Sequence, residues 1–264
     1  MSPGQGFIYG TIQGLTEILP ISSSGHLVLL PWILGWTDPG LGFDVALHAG
    51  TLIAIVWYFR AEWIGIGSAA ISEVVRSRRL VSAESLLLAK IALASIPGAI
   101  AGVFLVDLAE TLFRSPLLVA ANLAGFGVLL FLADRRTGTV RAAHEIGWTS
   151  AVVIGLAQAI SLVPGVSRSG VTITTARFLG IDRETSARFS FLLAAPITAG
   201  AVLFEGSGLV RLFSNPGQLV AFAASMAFAF AAVAGLLQYV RGRSYTPFVI
   251  YRLVLAALIV AVAR

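Results

Sequence analysis

Six apolar runs, each close to the length of a membrane-spanning helix, constrain this sequence more than any other feature. They cover about 43–60, 84–106, 116–133, 187–204, 217–239 and 245–263, and a helix that crosses a bilayer needs roughly 20 largely apolar residues. Only 12% of the residues are charged, whereas a soluble domain has about 25%. The chain therefore has too little charge to cover a water-soluble globule. We expect an all-α polytopic membrane protein with six transmembrane helices, built as a single membrane domain over 1–264.

Two further apolar stretches, about 3–35 and 148–180, are interrupted by clusters of Pro, Gly and Ser. Non-helical backbone at membrane depth is tolerated only where it is buried in protein or lines a wet cavity. We therefore predict two re-entrant broken helical segments that turn back inside the bilayer and meet each other.

The two interrupted stretches resemble each other. Gly14-Leu-Thr-Glu17 with Pro20-Ile-Ser-Ser-Ser-Gly-His26 parallels Gly155-Leu-Ala-Gln158 with Pro164-Gly-Val-Ser-Arg-Ser-Gly170. Each stretch precedes three spanning runs, which gives repeat halves of about 1–134 and 145–264. Because three spans is an odd number, the second half should enter the membrane upside down. Such an inverted-topology repeat places a site near the midplane.

The arginines indicate how the chain is oriented. With 60–82, 134–147, 180–188 and 241–243 inside, eleven arginines face the cytoplasm, and only Arg114, Arg211 and Arg264 lie outside. Cytoplasmic loops are rich in Arg and Lys, so both termini should lie outside. The same rule accounts for the net charge of +5 without a nucleic-acid partner. The N-terminus lacks a positively charged region, so we expect no cleavable signal peptide.

The second broken segment carries the strongest indication of a site, Arg168. An arginine at bilayer depth costs about 2.5–3.5 kcal/mol on insertion scales, which a purely structural role does not require. Gly165 allows close approach of the backbone to a ligand, and Ser167 or Ser169 can cap a helix that begins near Gly170. A helix start and an arginine fork together suit a phosphate. The alternative is a structural kink with capping serines and a snorkelling arginine.

The first broken segment offers different chemistry. Gln13 and Glu17 lie four residues apart, on one face of a helix. Glu17, Ser23 and His26 would supply a carboxylate, a nucleophile and a general base. The structural alternatives are a protonated buried carboxyl, a capping serine and a satisfied imidazole.

Other features of the sequence also bear on the site. Asp44 and His48 form another i, i+4 pair, which would orient the site, assist a metal or simply pair internally. We expect Arg177 and Arg188 to be anchors at the inner interface. The last two spans are interpreted as scaffold, with Arg252 near their inner end. Cysteine is absent, which excludes disulfides and thiolate chemistry.

At these motifs the sequence resembles the undecaprenyl-diphosphate phosphatase family associated with bacitracin resistance. The resemblance covers nearly the whole chain. The motifs that carry it are Gln13-Gly-Leu-Thr-Glu17, Leu19-Pro-Ile-Ser-Ser-Ser-Gly-His26, Leu47-His-Ala-Gly-Thr51, and Pro164-Gly-Val-Ser-Arg-Ser-Gly170 with Thr172. The first motif has Gln13 where the family also uses Glu, which weakens a case for two essential carboxylates.

The resemblance implies hydrolysis of undecaprenyl diphosphate to the monophosphate, which recycles the lipid carrier for cell-wall synthesis. It also implies a bacterial inner-membrane location, a site open to the outer face, and a divalent metal, Mg²⁺ or Ca²⁺. Glu17, together with Gln13, would bind this metal or handle protons. Arg168 would hold phosphate, with Ser22, Gly165, Ser167, Ser169 and Thr172 beside it. Ser23 would attack with His26 as its base, with a phosphohistidine at His26 as the alternative. The oligomeric state stays open, a homodimer included.

Two rival functions share some of these features. A polyprenyl-phosphate transporter would use Arg168 and the helix starts, but it needs no nucleophile with a base. The type 2 phosphatidic acid phosphatases share Ser24-Gly25-His26. Their Ser-Arg motif, however, is followed by a histidine within a few residues, and Ser167-Arg168 is not.

Overall fold

The structure, a computed structural model, describes residues 1–111, 115–204 and 215–263. Within these ranges it contains helices and no strand, with one isolated bridge between Val140 and Ile181. The helices are α1 Pro3–Ile18, α2 Ser23–Leu34, α3 Leu41–Tyr58, α4 Arg60–Ser77, α5 Ala83–Thr111, α6 Pro116–Asp134, α7 Trp148–Ala159, α8 Arg168–Phe178, α9 Arg183–Phe204, α10 Pro216–Val240 and α11 Thr246–Val262. The prediction of an all-helical membrane protein is confirmed.

Five helices in the described ranges are long and apolar enough to cross a membrane, namely α3, α5, α6, α9 and α10. They coincide with five of the six predicted runs. The sixth run corresponds to α11, which has 17 residues and is shorter than the other five, so its crossing stays a prediction. Arg114, Arg211 and Arg264, which entered the orientation argument, lie outside the described residues.

The segment 60–82 is not the loop that we expected, because most of it forms α4. Only Phe59 separates this helix from α3, and it buries Ile66 and Ala70 against its neighbours. Its arginines and glutamates interrupt the apolar pattern, which is why the composition suggested a loop. The carboxylate of Glu73 then closes the turn into α5, since it accepts the backbone N–H of Val81 at 2.6 Å and the hydroxyl of Ser85 at 2.7 Å.

Each interrupted stretch is divided into two helices, as its Pro, Gly and Ser clusters predicted. The break separates α1 from α2 in the first stretch and α7 from α8 in the second. Both second helices start with the same cap: Ser22 and Ser167 have φ values of 74° and 75°, and their hydroxyls accept the N–H of Gly25 and Gly170 at 3.3 and 3.0 Å. The predicted cap by Ser167 is confirmed.

Helix pairing follows the internal repeat. In the repeat, α1 corresponds to α7 and α5 to α10. Accordingly, α1 packs against α10, and α7 packs against α5. The corresponding helices α3 and α9 pack against each other, and so do α6 and α11. Glycines allow the first two contacts: a Cβ at Gly10 would clash with the carbonyl of Ala221 in α10, and a Cβ at Gly155 with that of Ala94 in α5. Small residues of this kind let membrane helices approach closely. The arrangement brings the two helix breaks together in the middle of the fold.

Candidate active site

The buried carboxylate of Glu17, at the end of α1, is the centre of the candidate site. Its Oε2 accepts the hydroxyl of Ser23 at 2.6 Å and the amide of Gln13 at 3.4 Å, and it lies 3.2 Å from Nε2 of His48. Its Oε1 accepts Nη2 of Arg168 at 2.7 Å. The two broken segments therefore meet, as predicted, at the carboxylate of Glu17, which accepts hydrogen bonds from both segments.

Arg168 is held in place through both its backbone and its guanidinium group. As the first residue of α8 it follows the Ser167 cap, and its Nη1 donates to the carbonyl of Ser190 in α9 at 3.0 Å. Thr172 supports it from the next turn, with a hydroxyl that donates to the Arg168 carbonyl at 2.8 Å and lies 2.7 Å from Oγ of Ser190. A charge buried this deeply needs a partner, and Glu17 is that partner.

The starts of α2 and α8 are joined to each other. Besides capping its own helix, the Ser22 hydroxyl accepts the N–H of Gly165 at 3.1 Å, and the Ser169 hydroxyl donates to the carbonyl of Leu19 at 3.1 Å. The unpaired N–H groups in the first turns of two helices thus lie in one region. Helix N-termini bind anions, so this region is suited to a phosphate.

The predicted phosphate-site residues all lie in or beside this junction, but their side chains differ in availability. The hydroxyls of Ser22, Ser167, Ser169 and Thr172 are occupied by caps, by Leu19 and by backbone carbonyls. Arg168 and backbone N–H groups remain as the donors best placed for a phosphate.

His26 does not form the predicted pair with Ser23. Its Nδ1 lies 2.7 Å from the Ser22 carbonyl, and its Nε2 lies 2.7 Å from the hydroxyl of Tyr251 in α11. A carbonyl only accepts, so Nδ1 carries a proton and Nε2 accepts from Tyr251. Both nitrogens are engaged elsewhere, and the Ser23 hydroxyl donates to Glu17 instead. A role for His26 in the chemistry stays a prediction.

His48 is closer to the site than its sequence position indicated, because it contacts Glu17 directly. Its Nδ1 donates to the backbone carbonyl of Asp44 at 2.6 Å. The predicted contact between Asp44 and His48 therefore exists, and it uses the main chain of Asp44. Since Nδ1 is therefore protonated, the contact between Nε2 and Glu17 requires one further proton, carried either by the imidazole or by the carboxylate.

Arg252 is the residue whose surroundings the sequence interpretation missed. We expected scaffold near the inner end of α11, but its side chain is completely buried at the junction of the two breaks. It donates to five backbone carbonyls, those of Pro20, Asn122, Leu123, Gly165 and Val166, at 2.9–3.2 Å. Its isolation in an otherwise uncharged span was the signal that could have identified it.

Gln13 and Glu17 offer oxygen ligands for a divalent cation. Among the described residues, the Oε1 atom of the fully buried Gln13 has no hydrogen-bond partner. Mg²⁺ and Ca²⁺ prefer oxygen ligands, and Mg²⁺ is commonly bound by one or two carboxylates plus substrate phosphates. No group of three or more His, Cys, Asp or Glu in the described ranges could hold a metal. A cation held by Gln13 and Glu17 would therefore need a bound phosphate for its remaining ligands.

Comparison with known proteins supports an assignment to a family. Residues 6–258 match the family described as "Bacitracin resistance protein BacA". The chain is 46% identical over 266 residues to an undecaprenyl-diphosphatase of Pelotomaculum thermopropionicum, with 100% of this chain and 98% of the relative covered. It is 44% identical over 262 residues to an undecaprenyl-diphosphatase of Gemmatimonas aurantiaca, with 99% and 98% covered. The chain therefore belongs to the BacA family of bacitracin resistance proteins.

Proposed function

We propose that this protein is an integral membrane phosphatase that hydrolyses undecaprenyl diphosphate to undecaprenyl phosphate and inorganic phosphate, and so recycles the lipid carrier for cell-wall synthesis. The names of the two relatives above support the substrate. The observation that carries the chemistry is the arrangement at Glu17, whose carboxylate accepts Ser23 through one oxygen at 2.6 Å and Arg168 through the other at 2.7 Å. A nucleophile, a base and a phosphate-binding cation thus share one buried group.

In the first step, Ser23 Oγ attacks the terminal phosphorus and its proton passes to Glu17. The bond from that phosphorus to the bridging oxygen breaks, undecaprenyl phosphate leaves with that oxygen, and Ser23 carries the phosphoryl group. Water then attacks the phosphorus of this phosphoserine, and the bond from phosphorus to Ser23 Oγ breaks. Glu17 returns its proton to that oxygen, and inorganic phosphate leaves with the oxygen and both protons of the water. The Ser23–Glu17 contact supports this route over a phosphohistidine at His26, whose nitrogens are engaged by Ser22 and Tyr251.

Arg168 takes part in both binding and activation. The substrate phosphate competes with Glu17 for the guanidinium group of Arg168. Transfer of the guanidinium to the phosphate leaves Glu17 a stronger base for the Ser23 proton. Arg168 and the joined N-termini of α2 and α8 then stabilise the charge that develops on the phosphoryl oxygens, which is the main protein contribution to phosphoryl transfer.

A divalent cation, Mg²⁺ or Ca²⁺, would be held by Glu17 and the free amide oxygen of Gln13, and would neutralise part of the diphosphate charge. The orphaned, buried Oε1 of Gln13 supports this assignment. A diphosphate brings several negative charges into a partly dry site, and Arg168 alone does not balance them.

The architecture proposed for this activity has six membrane-spanning helices and two re-entrant broken segments, in an inverted-topology repeat in the bacterial inner membrane. The two-fold pattern of helix contacts and the identical caps at Ser22 and Ser167 support the repeat. The distribution of arginines supports outer termini, and the family resemblance implies a site open to the outer face.

The proposal is tested by phosphate release from a polyprenyl diphosphate, catalysed by the purified protein with Mg²⁺, with Ca²⁺ or with a chelator. We expect release with a cation and little with the chelator. No release by folded protein under any of these conditions would contradict a phosphatase and favour a transporter of the lipid carrier.

A further inference from the structure

A polar cavity of about 460 Å³ lies at the ends of α6 and α8 that are remote from Glu17. Its wall includes the end of α6, the connection that follows it, the turn between α8 and α9, and the end of α10. Arg168 and Arg177 are nine residues apart on α8, so at the helical rise the cavity lies about 14 Å from the candidate active site. Five arginines line it: Arg135, Arg136, Arg177, Arg183 and Arg241.

Arg177 is buried in this wall. A role as an anchor at the inner interface had suggested a solvated side chain instead. Its side chain is 3% exposed and donates to the carbonyls of Ile181 at 2.7 Å and of Arg136. Among the described residues its Nε has no hydrogen-bond partner. The nearest carboxylate, Asp134, is 3.7 Å from that nitrogen and accepts Nε of Arg183 at 2.6 Å. Two guanidinium groups therefore share one carboxylate.

The other two carboxylates of the wall are also engaged. Asp182 caps α9 by accepting the N–H of Thr185 at 2.8 Å. Glu184 accepts Nη2 of Arg241 at 2.9 Å and lies 3.9 Å from Arg188. With five arginines against Asp134, Asp182 and Glu184, the lining has a net charge of 5 − 3 = +2.

Arg135 and Arg136 supply the excess charge in an accessible form. Both are exposed, and their guanidinium groups lie over the rings of Phe131 and Phe178, 4.3 and 5.5 Å from the ring centroids. No carboxylate within the described ranges forms an ion pair with either. The lining therefore exposes two guanidinium groups that have no carboxylate partner among the described residues, beside three arginines that three carboxylates balance.

We propose that this cavity is a second anion site, selective for phosphate oxygens, that binds the headgroup of an anionic phospholipid at the inner membrane surface. Its loops are those that the arginine distribution assigns to the cytoplasm, and basic pockets between membrane helices on that side bind anionic headgroups. The general enrichment of cytoplasmic loops in arginine accounts for solvated side chains. It does not account for a buried Arg177 with an unpaired nitrogen beside a cavity.

The test uses the full chain in phosphatidylcholine nanodiscs and measures its unfolding temperature. One arm adds phosphatidylglycerol to the discs, and a second adds inorganic phosphate at constant ionic strength, with chloride as reference. Because replacing Arg177 would disturb the fold, the cavity variant is Arg135→Gln/Arg136→Gln. The matched control, Arg76→Gln/Arg79→Gln on and after α4, removes the same charge from exposed positions outside the cavity.

We expect a saturable rise in unfolding temperature with phosphatidylglycerol, since a ligand that binds only the folded state stabilises it. The cavity variant should lose about half of that rise or more, since two of the five lining guanidinium groups are gone, and the control variant should keep it. An equal rise with inorganic phosphate, lost in the same variant, would identify the ligand as the free anion. The proposal is overturned if neither ligand stabilises the protein, or if both variants lose the rise equally.

Discussion

Glu17 and Arg168 form a buried ion pair of 2.7 Å across a sequence separation of 151 residues. Glu17 lies at the end of α1, in the first half of the chain, and Arg168 begins α8, in the second half. Each half therefore provides one charge, and neither half alone contains the site. The pair also explains how both charges are tolerated away from water, since each is the other's main compensation.

Replacement of Glu17 by Gln tests this pair. The variant keeps the side-chain shape but removes the proton acceptor of Ser23, so turnover should fall about 10²–10⁴-fold, the usual contribution of a general base. It also leaves Arg168 buried without a counter-charge, so the unfolding temperature should drop. Glu84→Gln, at the exposed start of α5, is the control and should change neither. A Glu17→Gln enzyme with wild-type turnover would remove Glu17 from the chemistry.

Gln13 tests the cation site separately from the base. The variant Gln13→Met removes the unpaired amide oxygen and keeps an apolar chain of similar length. We expect the Mg²⁺ or Ca²⁺ concentration for half-maximal activity to rise about tenfold, with a smaller change in turnover at saturating cation. The measurement is a metal titration of phosphate release. An unchanged midpoint would exclude Gln13 as a ligand.

Arg252 tests whether the two helix breaks must be held together. Arg252→Lys keeps the charge but has three donors for five carbonyls, and Arg252→Met removes charge and donors. Both should unfold at lower temperature, and the remaining folded enzyme should show a reduced kcat, because each buried carbonyl left without a donor costs about 1–3 kcal/mol. The surface variant Arg243→Met provides the reference. Wild-type stability and kcat in Arg252→Met would refute the positioning role.

Glu73, outside the membrane-spanning helices, makes a pH-dependent contribution to the stability of the folded state. Hydrogen bonds from Ser82, Val81 and Ser85 lower the pKa of its carboxyl from 4.5 to about 2. The folded state thus binds this proton more weakly than the unfolded state. The contribution is complete above pH 4.5 and is lost as the pH falls toward about 2. Unfolding temperatures at pH 6 and pH 3 should differ more in the wild type than in Glu73→Gln. An equal pH response in both proteins would contradict the assignment.

The helix breaks and part of the site could be predicted from the sequence because local rules determine them. The Pro, Gly and Ser clusters at 20–25 and 164–170 interrupt the two stretches, and Ser167 had the type and position of a cap. Gln13 and Glu17 share a helix face by their spacing alone. Arg168 was identified by the cost of placing its charge at membrane depth.

The remaining contacts could not be predicted because they depend on which helices become neighbours. The hydroxyl of Ser23 could face either His26 or Glu17, and only the approach of Tyr251 to His26 decides between them. The importance of Arg252 arises from carbonyls 86 to 232 residues away. Helix α4 was missed for another reason, since its charged residues at the membrane surface resemble the composition of a loop.

The most direct test of the account compares Ser23→Ala with Ser24→Ala in an assay of phosphate release from undecaprenyl diphosphate. The two serines are adjacent on α2, but only the hydroxyl of Ser23 donates to Glu17. We predict that Ser23→Ala lowers kcat about 10³-fold or more, as expected for a lost nucleophile. Ser24→Ala should stay within a few-fold of the wild type. Turnover by Ser23→Ala close to that of Ser24→Ala would contradict the proposed phosphoserine mechanism.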